Sequence, residues 1–359
     1  MNLKITLWAV FAFNSFTNLN AQEQFNDFWD WSTYYFIVYP TKNMGNKDVS
    51  EVKMIHQGYK RSGKPSKKPG ISFKKFDENG RPVEMLYTDK KGILRKGITM
   101  VYDQNGQKTH IELYRKSVLR HKTSFTYASK GKYSEIINTN KDGEINWKST
   151  WTYNADGCVT ESAKFKKGTK LKRRWTYEYY DKCKLARSFL YNGRGKLKNT
   201  WSYDCKEEGQ KLEKKKNEIQ VCYWEQSSID YITKVAQTFD EKGKLVKYVS
   251  KFTAKDTLPV EHTTYDEKDR LVTRYTYNKS WDLQTSRSRY KKNGKQLWEV
   301  TYEYMNDSLL VREISTRKGK IDERTEYAYN SESLLTQKKV FGTNGKPRFA
   351  INMEYVTRK

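Results

Sequence analysis

Four residues of the 359-residue chain could form covalent cross-links: Cys158, Cys183, Cys205 and Cys222. No pair has the Cys-x-x-Cys spacing of a zinc site, and the four histidines are scattered along the sequence. Cys158 and Cys183 each follow a repeated aromatic residue by a few positions, so successive hairpins would bring them side by side. We expect Cys158–Cys183 and Cys205–Cys222 disulfides in an exported chain, with free buried thiols as the alternative.

A second group of residues could bind anions. It is a run of cations with no acidic residue between them: Lys164, Lys166, Lys167, Lys170, Lys172, Arg173 and Arg174. A further concentration of charge extends from Lys206 to Lys216. Exposed cations at this density attract polyanions. The alternative is that the charge only keeps an aromatic-rich protein soluble.

Motifs of catalysis are missing from the sequence. It contains no Gly-rich phosphate loop, no His-Glu-x-x-His helix and no Gly-x-Ser-x-Gly elbow. Its Asp-x-Asn-Gly strings lack the further carboxylates of a calcium loop, so they indicate turns. We therefore expect a protein that is not an enzyme, with no catalytic, cofactor-binding or metal-binding residues.

The first residues indicate export. Lys4 precedes the apolar stretch Ile5 to Phe13, a polar segment follows, and Ala21 is a small residue suited to cleavage. No later segment is apolar enough to cross a membrane, so we expect none in the mature chain. The formal net charge of +27 comes from 69 Lys and Arg against 42 Asp and Glu, and removal of the signal takes away only Lys4. In the periplasm, at the cell surface or outside the cell, the expected partner is an anionic polysaccharide, lipopolysaccharide or an envelope protein, and not nucleic acid.

These groups are carried by an internal repeat. An aromatic residue that enters a polar turn recurs about every 25 residues, at Phe76, Tyr102, Tyr127, Tyr153, Tyr180 and Tyr203, and again at Phe239, Tyr265 and Tyr290. In the turns that follow, Asp caps its own turn and Gly takes a positive φ. Each period therefore predicts one hairpin and its connection.

Between the turns the pattern has a period of two. Trp175, Tyr177 and Tyr179 alternate with polar residues, as do Trp298, Val300, Tyr302 and Tyr304. Such alternation predicts half-buried strands with one aromatic face and one charged face. We expect an all-β protein, a long antiparallel meander of about 22 strands between residues 71 and 359. Its sheet would curl or wrap to hide the aromatic face. A β-propeller is the alternative.

The turns resemble those of the YD-repeat (Rhs-type) family, whose unit is Tyr-Asp-x-x-Gly-Arg/Lys-Leu followed by an alternating strand. The matching segments are Phe239 to Val246 and Tyr265 to Val272, and Tyr290 to Leu297 is a weaker match. Several turns lack both Asp and Gly, and MORN-type repeats are a second resemblance. The large members of the YD-repeat family wrap their repeats around a C-terminal toxin, for which this chain has no room. The resemblance implies a small, toxin-less, exported member.

We expect three parts: a signal peptide at 1–21, an N-terminal cap segment with a basic loop at 22–70, and the hairpin-repeat domain at 71–359. The expected function is non-catalytic binding of anionic glycan or other envelope components through basic hairpin tips. The alternative is a structural or partner-docking module that uses its aromatic sheet face. The sequence does not specify the ligand, the oligomeric state or the way in which the sheet closes.

Overall fold

The computed structural model describes residues 48–66, 69–89, 91–180, 183–205, 218–227, 231–239, 245–253, 259–266, 268, 270–277, 283–306 and 308–358. The predicted signal peptide, the aromatic part of the cap segment and Lys206 to Lys216 lie outside these residues. The described residues form strands and turns and contain no helix. The prediction of an all-β protein is confirmed.

The described residues form 23 strands, and β2 to β23 occupy the region for which about 22 were expected. Their bounds are β1 Val49–Gly58, β2 Gly70–Phe76, β3 Pro82–Thr88, β4 Leu94–Tyr102, β5 Lys108–Arg115, β6 Val118–Ser129, β7 Lys132–Asn140, β8 Ile145–Tyr153, β9 Val159–Lys166, β10 Lys170–Tyr179, β11 Leu185–Asn192, β12 Leu197–Cys205, β13 Glu218–Ser227, β14 Tyr231–Phe239, β15 Leu245–Thr253, β16 Pro259–Tyr265, β17 Leu271–Tyr277, β18 Gln284–Tyr290, β19 Gln296–Met305, β20 Leu309–Arg317, β21 Lys320–Tyr329, β22 Leu335–Gly342 and β23 Pro347–Thr357.

The described residues fall into two compact units. Unit I holds residues 48–151, 164–170 and 323–358, and unit II holds residues 152–163 and 171–322, apart from the gaps given above. In unit I, each of the strands β1 to β7 pairs antiparallel with the next one. β1 also pairs antiparallel with β23, which in turn pairs with β22. β1 lies within the predicted cap segment and has a neighbour on both edges.

Unit II is also a meander of consecutive strands, from β10 to β20. The pair β12–β13 is parallel, although antiparallel pairing was expected throughout. A parallel connection needs roughly a dozen residues or more, and residues 206–217 provide that length. The β-propeller alternative is wrong, because these runs of paired strands are not divided into four-stranded blades.

The turns have the expected chemistry. Oδ1 of Asp77 accepts hydrogen bonds from the amides of Asn79 (3.0 Å) and Arg81 (2.9 Å), and Gly80 has φ of 73°. The Arg81 side chain then returns to Oδ2 of Asp77 at 2.6 Å. Asp266 and Arg270 make the same ion pair at 2.8 Å. The Arg of the turn motif therefore neutralises the Asp that caps the turn.

A tyrosine hydroxyl joins neighbouring strands in each unit. Tyr102 donates to the carbonyl of Pro82 (3.0 Å), and Tyr304 donates to that of Gln284 (2.8 Å), each across 20 residues of sequence. The same bond occurs at Tyr127, Tyr179 and Tyr355. The repeat position after Tyr153 is therefore Tyr179 and not Tyr180. The Tyr180 amide bonds to the carbonyl of Lys184, which makes Tyr180 the first turn residue and leaves its side chain 56% exposed.

Candidate polyanion-binding site

The predicted cationic run lies on β9, on the turn at residues 167–169 and on β10. Lys167 and Gly168 have φ of 51° and 76°, so two consecutive left-handed residues close a tight turn. The Lys167 amide donates to the carbonyl of Asn146 at the start of β8, at 2.9 Å. Because the turn is bound through its backbone, its lysine side chains are left free to face solvent.

The structure separates the members of this run by exposure. Lys166, Lys167 and Lys170 in unit I are exposed. Lys164 in the same unit is only 5% exposed, and its Nζ lies 5.8 Å from the centre of the Trp147 ring. Lys164 shares a face of β9 with the buried Ser162, whereas Lys166 is the last residue of the strand.

The remaining three members lie on β10 in unit II. Lys172 is exposed, whereas Arg173 and Arg174 are half-buried. Arg174 lies 3.7 Å from a carboxylate oxygen of Glu161 and stacks on the Tyr191 ring, with 4.5 Å from Cζ to the ring centre. Its charge is already engaged within the protein. Four lysines of the predicted seven residues thus remain available to a ligand.

Other hairpin tips of unit I add to this cationic surface. Because consecutive strands are antiparallel, alternate turns lie at the same end of the strands. We call one end the basic rim; it carries the turns at 59–69, 89–93, 116–117, 141–144, 167–169 and 343–346. Its described residues include eight cations and three acids: Lys60, Arg61, Lys64, Lys91, Lys116, Lys141, Lys167 and Lys346, with Asp89, Asp142 and Glu144.

The other end of unit I has the opposite balance. This opposite rim carries the turns at 77–81, 103–107, 130–131 and 330–334. Its turns hold two cations and four acids: Arg81 and Lys130, with Asp77, Glu78, Asp103 and Glu332. The positive charge of the turns of this unit is therefore concentrated at one end of the strands. The net charge of the sequence does not show this difference between the two ends.

Backbone hydrogen bonds connect the tips of the basic rim with their neighbours. The Tyr59 amide donates to the carbonyl of Arg348 at 3.0 Å, which brings the turns at 59–69 and 343–346 together. The Lys116 amide donates to the carbonyl of Arg95 at 3.3 Å. Successive tips on the rim are two strands apart, about 10 Å.

Some rim charges are neutralised within their own turn. Arg95 pairs with Asp89, and Lys141 pairs with Asp142 at 2.7 Å. Among the described residues, no ion pair is recorded for Lys91, Lys116 or Lys167. These three exposed cations are therefore available to an external anion.

In unit II the structure joins Cys158 and Cys183, the first pair expected from the sequence, in a disulfide with Cα atoms 5.3 Å apart. Cys158 ends the turn before β9, and Cys183 lies in the turn before β11. Cys205 and Cys222 are Cα partners in the parallel pair β12–β13. Their side chains lie outside the described residues, so the second disulfide remains a prediction.

Two serine–histidine pairs were not foreseen from the sequence. Nε2 of His56 lies 2.7 Å from Oγ of Ser72 in unit I, and Nδ1 of His262 lies 2.9 Å from Oγ of Ser250 in unit II. Ser72 and His262 have 0% exposed surface, whereas His56 is half-buried. Only strand register, which a single sequence does not specify, brings these residues together.

A buried amine lies close to the first pair. Lys74 follows Ser72 on the same face of β2 and is 1% exposed. Burial lowers the pKa of Lys74 to about 8, and its Nζ lies 5.8 Å from the centre of the Phe76 ring. Like His262 in unit II, Lys74 is a buried group of its own unit.

The aromatic face is also largely covered. Trp151 is 4% exposed, and Trp175, Tyr177, Trp298 and Tyr302 are half-buried. The aromatic rings that the sequence suggested for docking of a partner therefore do not form a fully exposed patch in the part of each unit that the structure describes. The exposed cations of the hairpin tips are the more accessible chemistry.

The fold and these surfaces define an all-β hairpin-repeat protein with cationic tips. No protein-family model matches the chain, and no curated protein matches it. Solved structures with some likeness include a Tc holotoxin pore from Photorhabdus luminescens, with 12% identity, a TM-score of 0.28 and coverage of 77% of this chain but 15% of that one. A porin-like protein from Bacteroides uniformis has 10% identity, a TM-score of 0.23 and coverage of 88% and 99%. In the described residues, no helix has the length and apolar character needed to span a membrane.

Proposed function

We propose that the chain is a non-catalytic, exported repeat protein that binds an anionic component of the cell envelope through basic hairpin tips. The observation that carries the proposal is the turn at 167–169, where Lys166, Lys167 and Lys170 are exposed beside a turn bound through its backbone. A fixed row of exposed cations binds an anionic polymer through many weak contacts, each of which is screened by salt.

We also propose that the chain is a relative of the YD-repeat (Rhs-type) proteins. The Asp266–Arg270 ion pair supports this proposal, because it joins the Asp and the Arg of the motif within one turn.

Retention on a dextran sulfate column tests the binding function. The variant carries Lys166→Gln and Lys167→Gln, and the matched control carries Lys130→Gln and Lys184→Gln, which remove the same charge from exposed lysines of other turns. We expect affinity for the polyanion to fall about thirtyfold for the first pair, since each of the two cations contributes about 1 kcal/mol near an anionic surface. The control should elute with the unmodified protein.

Two results would refute this proposal. One is elution of the unmodified protein at low salt, which would mean that the tips do not hold a polyanion. The other is equal loss of retention in both variants, which would mean that only total charge matters.

A further inference from the structure

The basic rim of unit I carries exposed aliphatic side chains as well as cations. Ile93 ends the turn at 89–93 and is 50% exposed, and Val118 follows the turn at 116–117 and is 47% exposed. Ile145, which follows the turn at 141–144, is 36% exposed. Three successive tips of one rim thus combine a large apolar side chain with lysine.

Single exposed apolar residues are ordinary on protein surfaces, so their chemical context decides their meaning. Ile93 lies between Lys91 and Arg95 in sequence, and Val118 follows Lys116 and precedes Arg120. All four of these cations are exposed. On the opposite rim, Val101 is 42% exposed beside a turn whose charged residue is the acid Asp103. Val101 and Val356, the latter 52% exposed at the same end of the strands, have no exposed cation within two residues, unlike Ile93 and Val118 of the basic rim.

We infer that the anion bound by the basic rim is the headgroup layer of an anionic lipid surface, which the rim meets edge-on. This inference rests on the proposed function and narrows its ligand class. Lysine side chains reach headgroup phosphates while aliphatic side chains enter the acyl boundary below them. The turns lie about 10 Å apart along the rim, so each tip reaches separate headgroups.

A soluble anionic polysaccharide explains the cations but not the apolar residues. Sugar rings stack on aromatic faces, whereas the exposed large apolar residues of this rim are Ile93, Val118 and Ile145. Aliphatic side chains gain free energy only when they leave water for an apolar medium, and an acyl layer is such a medium. The lipid surface is therefore the occupant that uses both kinds of side chain.

Vesicle co-sedimentation with the full chain tests the inference. The vesicles are phosphatidylcholine with or without phosphatidylglycerol, and dextran sulfate retention is measured in parallel. The variant carries Ile93→Ser and Val118→Ser. The matched control carries Val101→Ser and Val356→Ser on the opposite end of the strands in the same unit, where Val356 is 52% exposed.

We expect the unmodified protein to bind the vesicles that contain phosphatidylglycerol and not to bind vesicles of pure phosphatidylcholine. The Ile93→Ser and Val118→Ser variant should bind them about tenfold more weakly, because two half-exposed side chains no longer gain from burial. Its retention on dextran sulfate should be unchanged, since no charge is altered. The Val101→Ser and Val356→Ser control should match the unmodified protein in both assays.

If both double variants bind vesicles as the unmodified protein does, the lipid inference is wrong while polyanion binding stands. If the unmodified protein binds neither the anionic vesicles nor dextran sulfate, the proposed function fails together with the inference. The two failures are therefore distinguishable in one set of measurements.

Discussion

We expect the folded protein to lose stability in mild acid because the His262 side chain is buried. This side chain has 0% exposed surface on β16 in unit II. Its ring lies 6.3 Å from the Tyr248 ring on β15 and 6.2 Å from the Tyr275 ring on β17, and its Nδ1 lies 2.9 Å from the Ser250 hydroxyl. Burial in this aromatic layer disfavours the imidazolium ion and lowers the pKa of His262 from 6.5 to about 4.

The direction of the effect follows from the two pKa values. Below pH 6.5 the His262 side chain is protonated in the unfolded chain. In the folded chain the same side chain stays neutral until the pH falls to about 4. The stability associated with neutral His262 is therefore complete above pH 6.5 and is lost as pH falls through this window. At 1.36 kcal/mol per pKa unit, the full loss is about 3 kcal/mol, of which about 2 kcal/mol is reached at pH 5.

Urea unfolding followed by tryptophan fluorescence at pH 7 and pH 5 measures this loss. His262→Gln removes the titrating group, and His121→Gln removes an exposed histidine as the control. Between pH 7 and pH 5, the unmodified protein and the His121 variant should lose about 2 kcal/mol more than the His262 variant. Equal losses in all three proteins would show that His262 is not protonated on unfolding in this range, and the reasoning would be refuted.

Two further predictions concern the repeat and the cross-link. Tyr102→Phe deletes the hydrogen bond to the Pro82 carbonyl and should cost about 1 kcal/mol in urea unfolding, whereas Tyr180→Phe at the exposed turn position should cost nothing measurable. Replacing both Cys158 and Cys183 with Ala should cost about 3 kcal/mol, because the disulfide closes a loop with a sequence separation of 25. An unchanged urea midpoint in the second variant would argue against that cross-link.

The repeat made the fold class readable from the sequence. The Asp-and-Gly turns set the hairpin ends, and alternation set the strand faces, because both depend on residues close together in the chain. The error at Tyr180 has a local cause: Tyr179 and Tyr180 are adjacent, and the pattern alone does not show which of them ends the strand. The hydrogen bond from Tyr179 to Val159 decides between them, and it depends on a strand that is 20 residues away.

The cationic site was only partly readable. The sequence shows the run of cations from Lys164 to Arg174. The burial of Lys164 and the ion pair between Arg174 and Glu161 depend on neighbouring strands. The Ser–His pairs were missed for the same reason, since His56 and Ser72 meet only through the register of β1 with β2. The burial of Lys164, the pairing of Arg174 and the Ser–His contacts all depend on neighbouring strands, which a single sequence does not show.

The difference in charge between the two rims of unit I could have been predicted in part from the sequence. Sorting turns alternately along β1 to β8 places 59–69, 89–93, 116–117 and 141–144 at one end, and their charges could have been compared without a structure. The same counting would assign the turn at 343–346 to the other end. Pairing of β23 with β1 instead places it beside the turn at 59–69, with Tyr59 bonded to Arg348. Alternation holds only while every pair is antiparallel, and the parallel pair β12–β13 breaks it. Lys346 therefore joins the basic rim through the pairing of β23 with β1, which a count of strands along the chain does not show.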